Sequence, residues 1–154
     1  EDALNCILAA IEAAGFNYIQ IHGMIDPALF SQIRLPVLKA FNVKDMDTIA
    51  DYRLDKNVAG YVFDAHEPGS GKSFDWSMLS DIPRDNKLFF LAGGISADNV
   101  KEAIKKLSPD GIDVSTGVEY NASNKTGKDP QKIEEFVRII RTEQKTYNRF
   151  SFYK

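Results

Sequence analysis

Five short apolar segments alternate with helical patterns along this chain, and that alternation restricts the folds open to it. We predict strands over residues 18–22, 36–42, 59–64, 87–93 and 111–116. The segments are apolar on both faces, as expected of strands that are covered on two sides. Because neighbouring parallel strands need a crossover, usually a helix, the alternation predicts a parallel sheet in an α/β protein.

Helical patterns fill the intervals between the predicted strands. They cover residues 27–33, 45–52, 75–82, 96–107 and 129–142, and an amphipathic helix in residues 1–15 precedes them. Ser96 and Asp129 are the expected N-caps of the last two helices, and Pro130 occupies the first helical position of the final one. Gly15 is well placed as the C-terminal cap of the first helix. The final helix is expected to bury one apolar stripe, formed by Ile133, Phe136, Val137 and Ile140.

Two architectures fit five parallel strands: a doubly wound open sheet, or part of an eight-stranded βα barrel. Barrel enzymes keep their active sites at the carboxyl ends of the strands. Polar or glycine residues lie at the predicted strand ends here, namely Gln20, His22, Asn42, Asp64, Gly93, Gly94, Ser115 and Thr116. We therefore predict a TIM-barrel type of fold, represented by about five strands and six helices within a single domain over residues 1–154.

Composition excludes several classes of function. The net charge of −3 over 154 residues provides no basic surface for nucleic acid. Cys6 is the only cysteine, so an internal disulfide and a cysteine-rich metal site are both excluded, and a cytoplasmic location is expected. We expect Cys6 to be a buried, small apolar side chain. The first helix resembles neither a signal peptide nor a membrane span.

The glycine-rich segment GSGKS, residues 69–73, resembles part of a nucleotide-binding phosphate loop. A complete motif needs a glycine five positions before Gly71, where this chain has His66. Nucleotide binding is therefore disfavoured. Two interpretations remain, a loop that covers an active site and an ordinary surface loop.

Two further segments predict a phosphate site. In LAGGIS, residues 91–96, paired glycines lie between a strand and a helix, where backbone N–H groups can approach an oxyanion. In VSTGVE, residues 114–119, two hydroxyls and a glycine follow the next strand. Loops after the last two strands of a barrel often share one phosphate. The predicted phosphate ligands are Gly93, Gly94, Ser115, Thr116 and Gly117, with tight turns alone as the alternative.

Together these segments resemble the phosphoribosylanthranilate isomerase family of tryptophan biosynthesis. The resemblance is carried by IQIHG (19–23), VLKAF (37–41), VFDAHEPGSGKSFDW (62–76), FLAGGISADNVKEAI (90–104), GIDVSTGVE (111–119) and KDPQKIEEFVRIIR (128–141). It implies a (βα)8 barrel that catalyses an Amadori rearrangement. The implied substrate is N-(5-phosphoribosyl)anthranilate and the product is 1-(2-carboxyphenylamino)-1-deoxyribulose 5-phosphate, with no cofactor and no metal.

The resemblance also implies roles for individual residues. Asp64 matches the general acid, which protonates the ribose ring oxygen so that the ring opens. Asp113 matches a position that helps to orient the substrate hydroxyls, and its spacing places it on the same strand face as Ser115. Gln20, His22 and Lys39 match residues that line the barrel ends, although a purely structural contact is an equal alternative for each.

The chain departs from the family at its start. The first three βα units of the family have no counterpart here, and with them go the strand-1 cysteine base and the strand-2 arginine that binds the anthranilate carboxylate. Cys6 lies within a predicted helix and does not match that base. We expect the chain alone to be inactive and prefer the explanation that it is a fragment. Pairing with another chain, and a stable truncated product with a rearranged sheet, are the alternatives.

Partners follow from the same reasoning. We expect a small phosphosugar substrate, no nucleic acid, no membrane, and either a complementing chain or a homo-oligomer. The aromatic tail, residues 146–154, is a candidate to cover an exposed sheet edge. The alternative function is a non-catalytic phosphate-binding half-barrel or a self-associating fragment. Indoleglycerol-phosphate synthase is disfavoured because its lysine acid and paired glutamates are missing from these strand ends.

Overall fold

One parallel sheet organises the structure, a computed structural model that describes residues 2–64, 76–82, 84–121 and 124–147. The strands lie in the order β1-β2-β3-β4-β5, and each pairs in parallel with the next. They are β1 (Ile19–His22), β2 (Val37–Asn42), β3 (Val58–Asp64), β4 (Leu88–Ala92) and β5 (Gly111–Ile112). The predicted parallel α/β architecture is confirmed, although β5 is much shorter than the predicted 111–116.

Six α-helices accompany these strands in the described part of the chain. They are α1 (Asp2–Ala14), α2 (Pro27–Phe30), α3 (Ile49–Arg53), α4 (Ser77–Ser80), α5 (Val100–Leu107) and α6 (Pro130–Tyr147). Two 3-10 helices, Val43–Thr48 and Thr116–Val118, follow β2 and β5. None of the described helices is both long and apolar enough to cross a membrane.

Helix boundaries confirm some predicted caps and correct one. Gly15 follows α1 with a φ of 64°, and Asp129 Oδ1 accepts a hydrogen bond from Gln131 N at 2.9 Å beside Pro130. Ser96 was the wrong N-cap, since α5 begins at Val100 after Asn99. The reason is local: Ser96 O accepts the Asn99 N–H at 3.3 Å and Ser96 Oγ accepts the Asp98 N–H at 3.3 Å, so Ser96 caps a turn that precedes the helix.

The sheet has two faces with different coverings. The outer face packs against the helices and carries the large apolar side chains of alternate positions, namely Val37, Phe41, Tyr61, Phe63, Phe89 and Leu91. The aromatic rings among them are in contact, and the centroids of Phe63 and Phe89 are 4.7 Å apart. The inner face carries a smaller cluster of Ala40, Val62 and Ala92, with Leu38 and Phe90 against it.

Register brings the carboxyl ends of three strands to one level. Asn42 pairs with Asp64, and Asp64 pairs with Ala92. The Asp113 N–H donates to Leu91 O at 2.9 Å, which continues the alignment beyond β5. The segments that follow β3, β4 and β5 therefore begin side by side.

Two expectations about burial were wrong. In α6, Phe136 is buried, but Ile133 and Val137 are 40% and 36% exposed. The helix packs against α5 and the second 3-10 helix, so its covered stripe runs through Phe136, Ile140 and Glu143, whose carboxylate pairs with Lys101 at 2.9 Å. Cys6 is exposed because it lies away from the face of α1 that packs Leu8 on the core.

The buried Tyr61 hydroxyl generates a prediction about alkaline stability. It donates to Asp85 Oδ2 at 3.1 Å, and burial, together with the Asp85 charge, raises the Tyr61 pKa above its ordinary value. This contribution to stability is complete below a pH of about 10 and is lost as the pH rises through the folded-state pKa. We expect Tyr61→Phe to lower the free energy of unfolding by about 1 kcal/mol at neutral pH. Above a pH of about 10, the free energy of unfolding should fall less steeply with pH in this variant than in the unmodified chain.

Urea unfolding at a series of pH values measures both effects. Tyr18→Phe is the matched control because Tyr18 is 47% exposed. An unchanged alkaline slope in Tyr61→Phe would contradict the assignment.

Candidate functional site

A cavity opens at the carboxyl ends of β3, β4 and β5. Its volume is about 200 Å³, and it is lined by Asp64, Ala92, Gly93, Gly94, Ile95, Asp113, Ser115 and Thr116. Six of the residues selected from the sequence therefore share one cavity, although they come from three separate strand ends. The level register of these strands accounts for their meeting.

Asp64 provides a carboxyl group at one side of the cavity. It is the last residue of β3 and lies on the inner face, the face of Val62. The side chain is half-buried. Asp113, beyond β5, places a second carboxyl in the same lining.

The glycine pair after β4 forms the second side. Gly93 and Gly94 have φ angles of 78° and 63°, in the left-handed region that favours glycine. Asn99 fixes this loop from behind: its Nδ2 donates to Gly94 O at 2.9 Å and its Oδ1 accepts the Ser96 N–H at 2.9 Å. Local sequence patterns do not predict this role of Asn99, because Ser96 is the expected cap and the amide contacts depend on the fold of the loop.

The segment after β5 forms the third side. Ser115 and Thr116 line the cavity at the start of the second 3-10 helix. Gly117 is packed against the glycine loop, since a Cβ there would lie 2.0 Å from Ile95 O. Gly117 thus allows the two loops to touch, and the described cavity lining does not include it.

A residue that the sequence analysis did not select contacts this segment. Lys128 Nζ lies 2.8 Å from Ser115 Oγ and 2.8 Å from Glu119 Oε1. Lys128 is the first residue of the KDP segment that carries part of the resemblance, but only a fold that returns it to the segment after β5 gives it this contact.

Three predicted barrel-end residues lie outside the cavity. Gln20 and His22 are exposed on β1, and their Nε2 atoms are 2.7 Å apart in a hydrogen bond. Lys39 occupies the outer face with Val37 and Phe41, which favours the structural alternative given for it. Its Nζ donates to Ala40 O at 2.8 Å and lies 4.5 Å from the Phe41 ring centroid. Burial lowers the Lys39 pKa, and the nearby Asp45 charge opposes that effect.

Some expectations cannot be placed. The GSGKS loop, residues 69–73, lies outside the described residues, and so do positions 148–154 of the aromatic tail. Within the part of the chain that the structure describes, no three histidine, cysteine, aspartate or glutamate side chains form a group that could hold a metal ion.

The cavity combines hydrogen-bond donors with carboxyl groups. Backbone amides in a glycine loop and two hydroxyls suit an oxyanion, whereas Asp64 and Asp113 suit hydroxyl groups or proton transfer. Its volume is below the range of about 300–1,000 Å³ that is usual for whole small-molecule sites. The cavity is therefore the size of part of a ligand site.

Sequence comparison connects this arrangement with a known family. Residues 1–139 match the family described as N-(5'phosphoribosyl)anthranilate (PRA) isomerase. An N-(5'-phosphoribosyl)anthranilate isomerase of Syntrophomonas wolfei is 39% identical over 134 residues, which cover 84% of this chain and 63% of the relative. The chain thus spans less than two thirds of that relative's length.

Solved structures agree on the fold. Phosphoribosyl anthranilate isomerase from Thermotoga maritima superposes with a TM-score of 0.72 and 32% identity, covering 90% of this chain and 68% of that protein. A phosphoribosyl anthranilate isomerase in complex with reduced 1-(o-carboxyphenylamino)-1-deoxyribulose 5-phosphate gives a TM-score of 0.69 and 29% identity. That match covers 90% of this chain and 66% of the other.

The contact at Gly117 generates a prediction about the cavity. Gly117→Ala must push the second 3-10 helix away from Ile95, at a cost of about 1–3 kcal/mol in unfolding free energy. We expect the amide resonances of Gly93 and Gly94 to shift in the same variant, because their loop adjoins Ile95. Urea unfolding and amide NMR spectra measure the two effects.

Gly15→Ala is the control for this variant. Gly15 has a φ of 64° and nothing within 4 Å of an added Cβ, so the substitution strains only the end of α1. It is expected to reduce stability without shifting the Gly93 and Gly94 amides. Unchanged amides in Gly117→Ala would show that the loop contact does not shape the cavity.

Proposed function

The chain belongs to the N-(5'-phosphoribosyl)anthranilate isomerase family, and we propose that it provides the acid and phosphate side of an isomerase active site in tryptophan biosynthesis. The reaction is the Amadori rearrangement of N-(5-phosphoribosyl)anthranilate to 1-(2-carboxyphenylamino)-1-deoxyribulose 5-phosphate. One observation carries the proposal: Asp64 shares a cavity with the glycine pair after β4 and the hydroxyls after β5.

The phosphate group of the substrate binds between the last two strand ends. The N–H groups of Gly93 and Gly94 and the hydroxyls of Ser115 and Thr116 are the donors. Phosphate sites in barrels commonly use the loops after the last two strands. This placement directs the ribose toward Asp64 and Asp113, across the same cavity.

Asp64 then acts as the general acid. Its proton moves to the ribose ring oxygen while the bond between C1 and that oxygen breaks, and the bonding electron pair remains on the oxygen. The anthranilate nitrogen donates its lone pair to C1, which gives a protonated Schiff base and an Asp64 carboxylate. Asp113 accepts hydrogen bonds from the sugar hydroxyls, as the family resemblance implies.

A base must next remove the proton from C2. The C2–H electrons form a C1=C2 double bond, and the π electrons of the C1=N bond return to nitrogen, which neutralises the Schiff base. The resulting enolamine then tautomerises to the ketose. The family resemblance assigns this step to a strand-1 cysteine thiolate. Cys6 lies on α1 and does not line the cavity, so we propose that three further βα units supply the base, in a longer protein or a complementing chain.

Complementation separates this proposal from a non-catalytic phosphate-binding half-barrel. We expect no turnover of N-(5-phosphoribosyl)anthranilate by the 154-residue chain alone. Fusing the segment of the Syntrophomonas wolfei relative from its first strand through its third strand ahead of Glu1 is expected to produce turnover, because α1 takes the place of the third helix. The loss of substrate fluorescence on conversion gives the rate.

The same fusion with its strand-1 cysteine changed to serine is the control, and it should be inactive. Turnover by the chain alone would remove the argument for an external base. A folded fusion without activity would favour the half-barrel.

Asp64→Asn in the active fusion tests the acid directly. An amide cannot donate a proton to the ring oxygen as a carboxylic acid does, and general acid catalysis contributes about 10²- to 10⁴-fold. We expect kcat to fall by roughly that factor while the reduced product analogue still binds. Asp81→Asn is the control, since Asp81 follows α4 and does not line the cavity. Retained turnover in Asp64→Asn would remove Asp64 from the acid role.

A further inference from the structure

A short hairpin returns the chain to the phosphate side of the cavity. Glu119 and Lys128 form an antiparallel bridge, Tyr120 N donates to Gly127 O at 3.2 Å, and Asp129 N donates to Val118 O at 2.7 Å. These contacts place Lys128 beside Ser115, which precedes it by 13 positions. The lysine is held by backbone pairing on both sides, so its position is a built feature of the fold.

The chemistry of the Lys128 contact determines where the Ser115 proton points. An ammonium group has donors only, so Ser115 Oγ is the acceptor in the 2.8 Å bond from Lys128 Nζ. The Ser115 hydroxyl proton is then free to point elsewhere, and Ser115 lines the cavity. A hydroxyl that accepts a bond from a cation is also a stronger donor.

Charge gives Lys128 a second effect. Asp64 and Asp113 line the cavity, and its described lining contains no lysine or arginine. Within that described lining, a phosphate group would face two acidic side chains and no basic one. Lys128 brings an ammonium group to the far side of Ser115, where the Glu119 carboxylate pairs with it at 2.8 Å and offsets part of its charge.

We propose that Lys128 is a positioning residue of the phosphate site, which orients the Ser115 hydroxyl toward a phosphate oxygen and supplies compensating positive charge. This inference rests on the proposed function, because it takes the phosphate of the substrate as the ligand. It assigns Lys128 no contact with the reacting atoms.

Lys132, in the first turn of α6, is a matched control for removing a charge that contacts the same hairpin. Its Nζ donates to Glu119 O and to Asn121 Oδ1, each at 2.7 Å, and it makes no hydrogen bond to Ser115 among the described residues. Lys132→Met removes the same charge as Lys128→Met from a neighbouring position. A general effect of net charge or hairpin stability would appear in both variants.

The test is a titration of the 154-residue chain with ribose 5-phosphate, followed by amide NMR. We expect Lys128→Met to weaken binding about tenfold or more, because it removes a charge-assisted hydrogen bond, and Lys128→Arg to recover most of the affinity. Lys132→Met should keep an affinity within about twofold of that of the unmodified chain. The amides of Tyr120 and Gly127 report whether the hairpin remains closed. If Lys128→Met opens the hairpin, the affinities of Lys128→Arg and Lys128→Gln for ribose 5-phosphate are compared instead. Both side chains retain a hydrogen-bond donor, and only arginine retains the charge.

A double-mutant cycle with Ser115→Ala tests whether Lys128 acts through the hydroxyl. We expect Lys128→Met to cost less affinity in the Ser115→Ala background than in the unmodified chain. Equal losses in the two backgrounds, or unchanged binding by Lys128→Met, would overturn the inference while leaving the phosphate site in place. If the unmodified chain fails to bind ribose 5-phosphate at Gly93, Gly94 and Ser115, the proposed phosphate site fails first, and this inference fails with it.

Discussion

The parallel register of β2, β3 and β4 is the constraint on which the candidate site depends. Packing of aromatic side chains on the outer face holds it, since Phe41 pairs with Phe63, and the Phe63 and Phe89 centroids are 4.7 Å apart. A slip of one residue would turn Asp64 to the helix side, and a slip of two would move it away from Gly93. The outer-face core therefore specifies the position of the Asp64 carboxyl, although Asp64 lies on the inner face of the sheet.

Contacts between loops complete what the register begins. Gly117 lets the segment after β5 touch Ile95, and Asn99 ties the glycine loop to its own helix. The hairpin then brings Lys128 to Ser115. Of these three contacts, the one at Gly117 joins the ends of neighbouring strands, and the other two order the segment that follows a single strand.

Local patterns were sufficient to predict the sheet and most of the residues that line the cavity. Apolar runs identified the strands, and glycines and hydroxyls at their ends identified the cavity lining. The failures concern relations that local patterns do not contain. The start of α5 depends on the hydrogen bonds of Asn99 to the glycine loop. The buried stripe of α6 depends on its packing against α5 and the second 3-10 helix. Strand alternation, applied to Val37 and Phe41, would have placed Lys39 on the outer face. The contact of Lys128 required a hairpin whose closure joins distant positions.

The bonds of Asn99 have a consequence for the entropy of ligand binding. Fixing the backbone of one residue costs about 1–2 kcal/mol. Asn99 holds both Gly94 O and Ser96 N, so the glycine loop loses its freedom when the chain folds. In the proposed phosphate site, an anion at the Gly93 and Gly94 amides would meet donors already in place, and little of its interaction energy would be spent on ordering them.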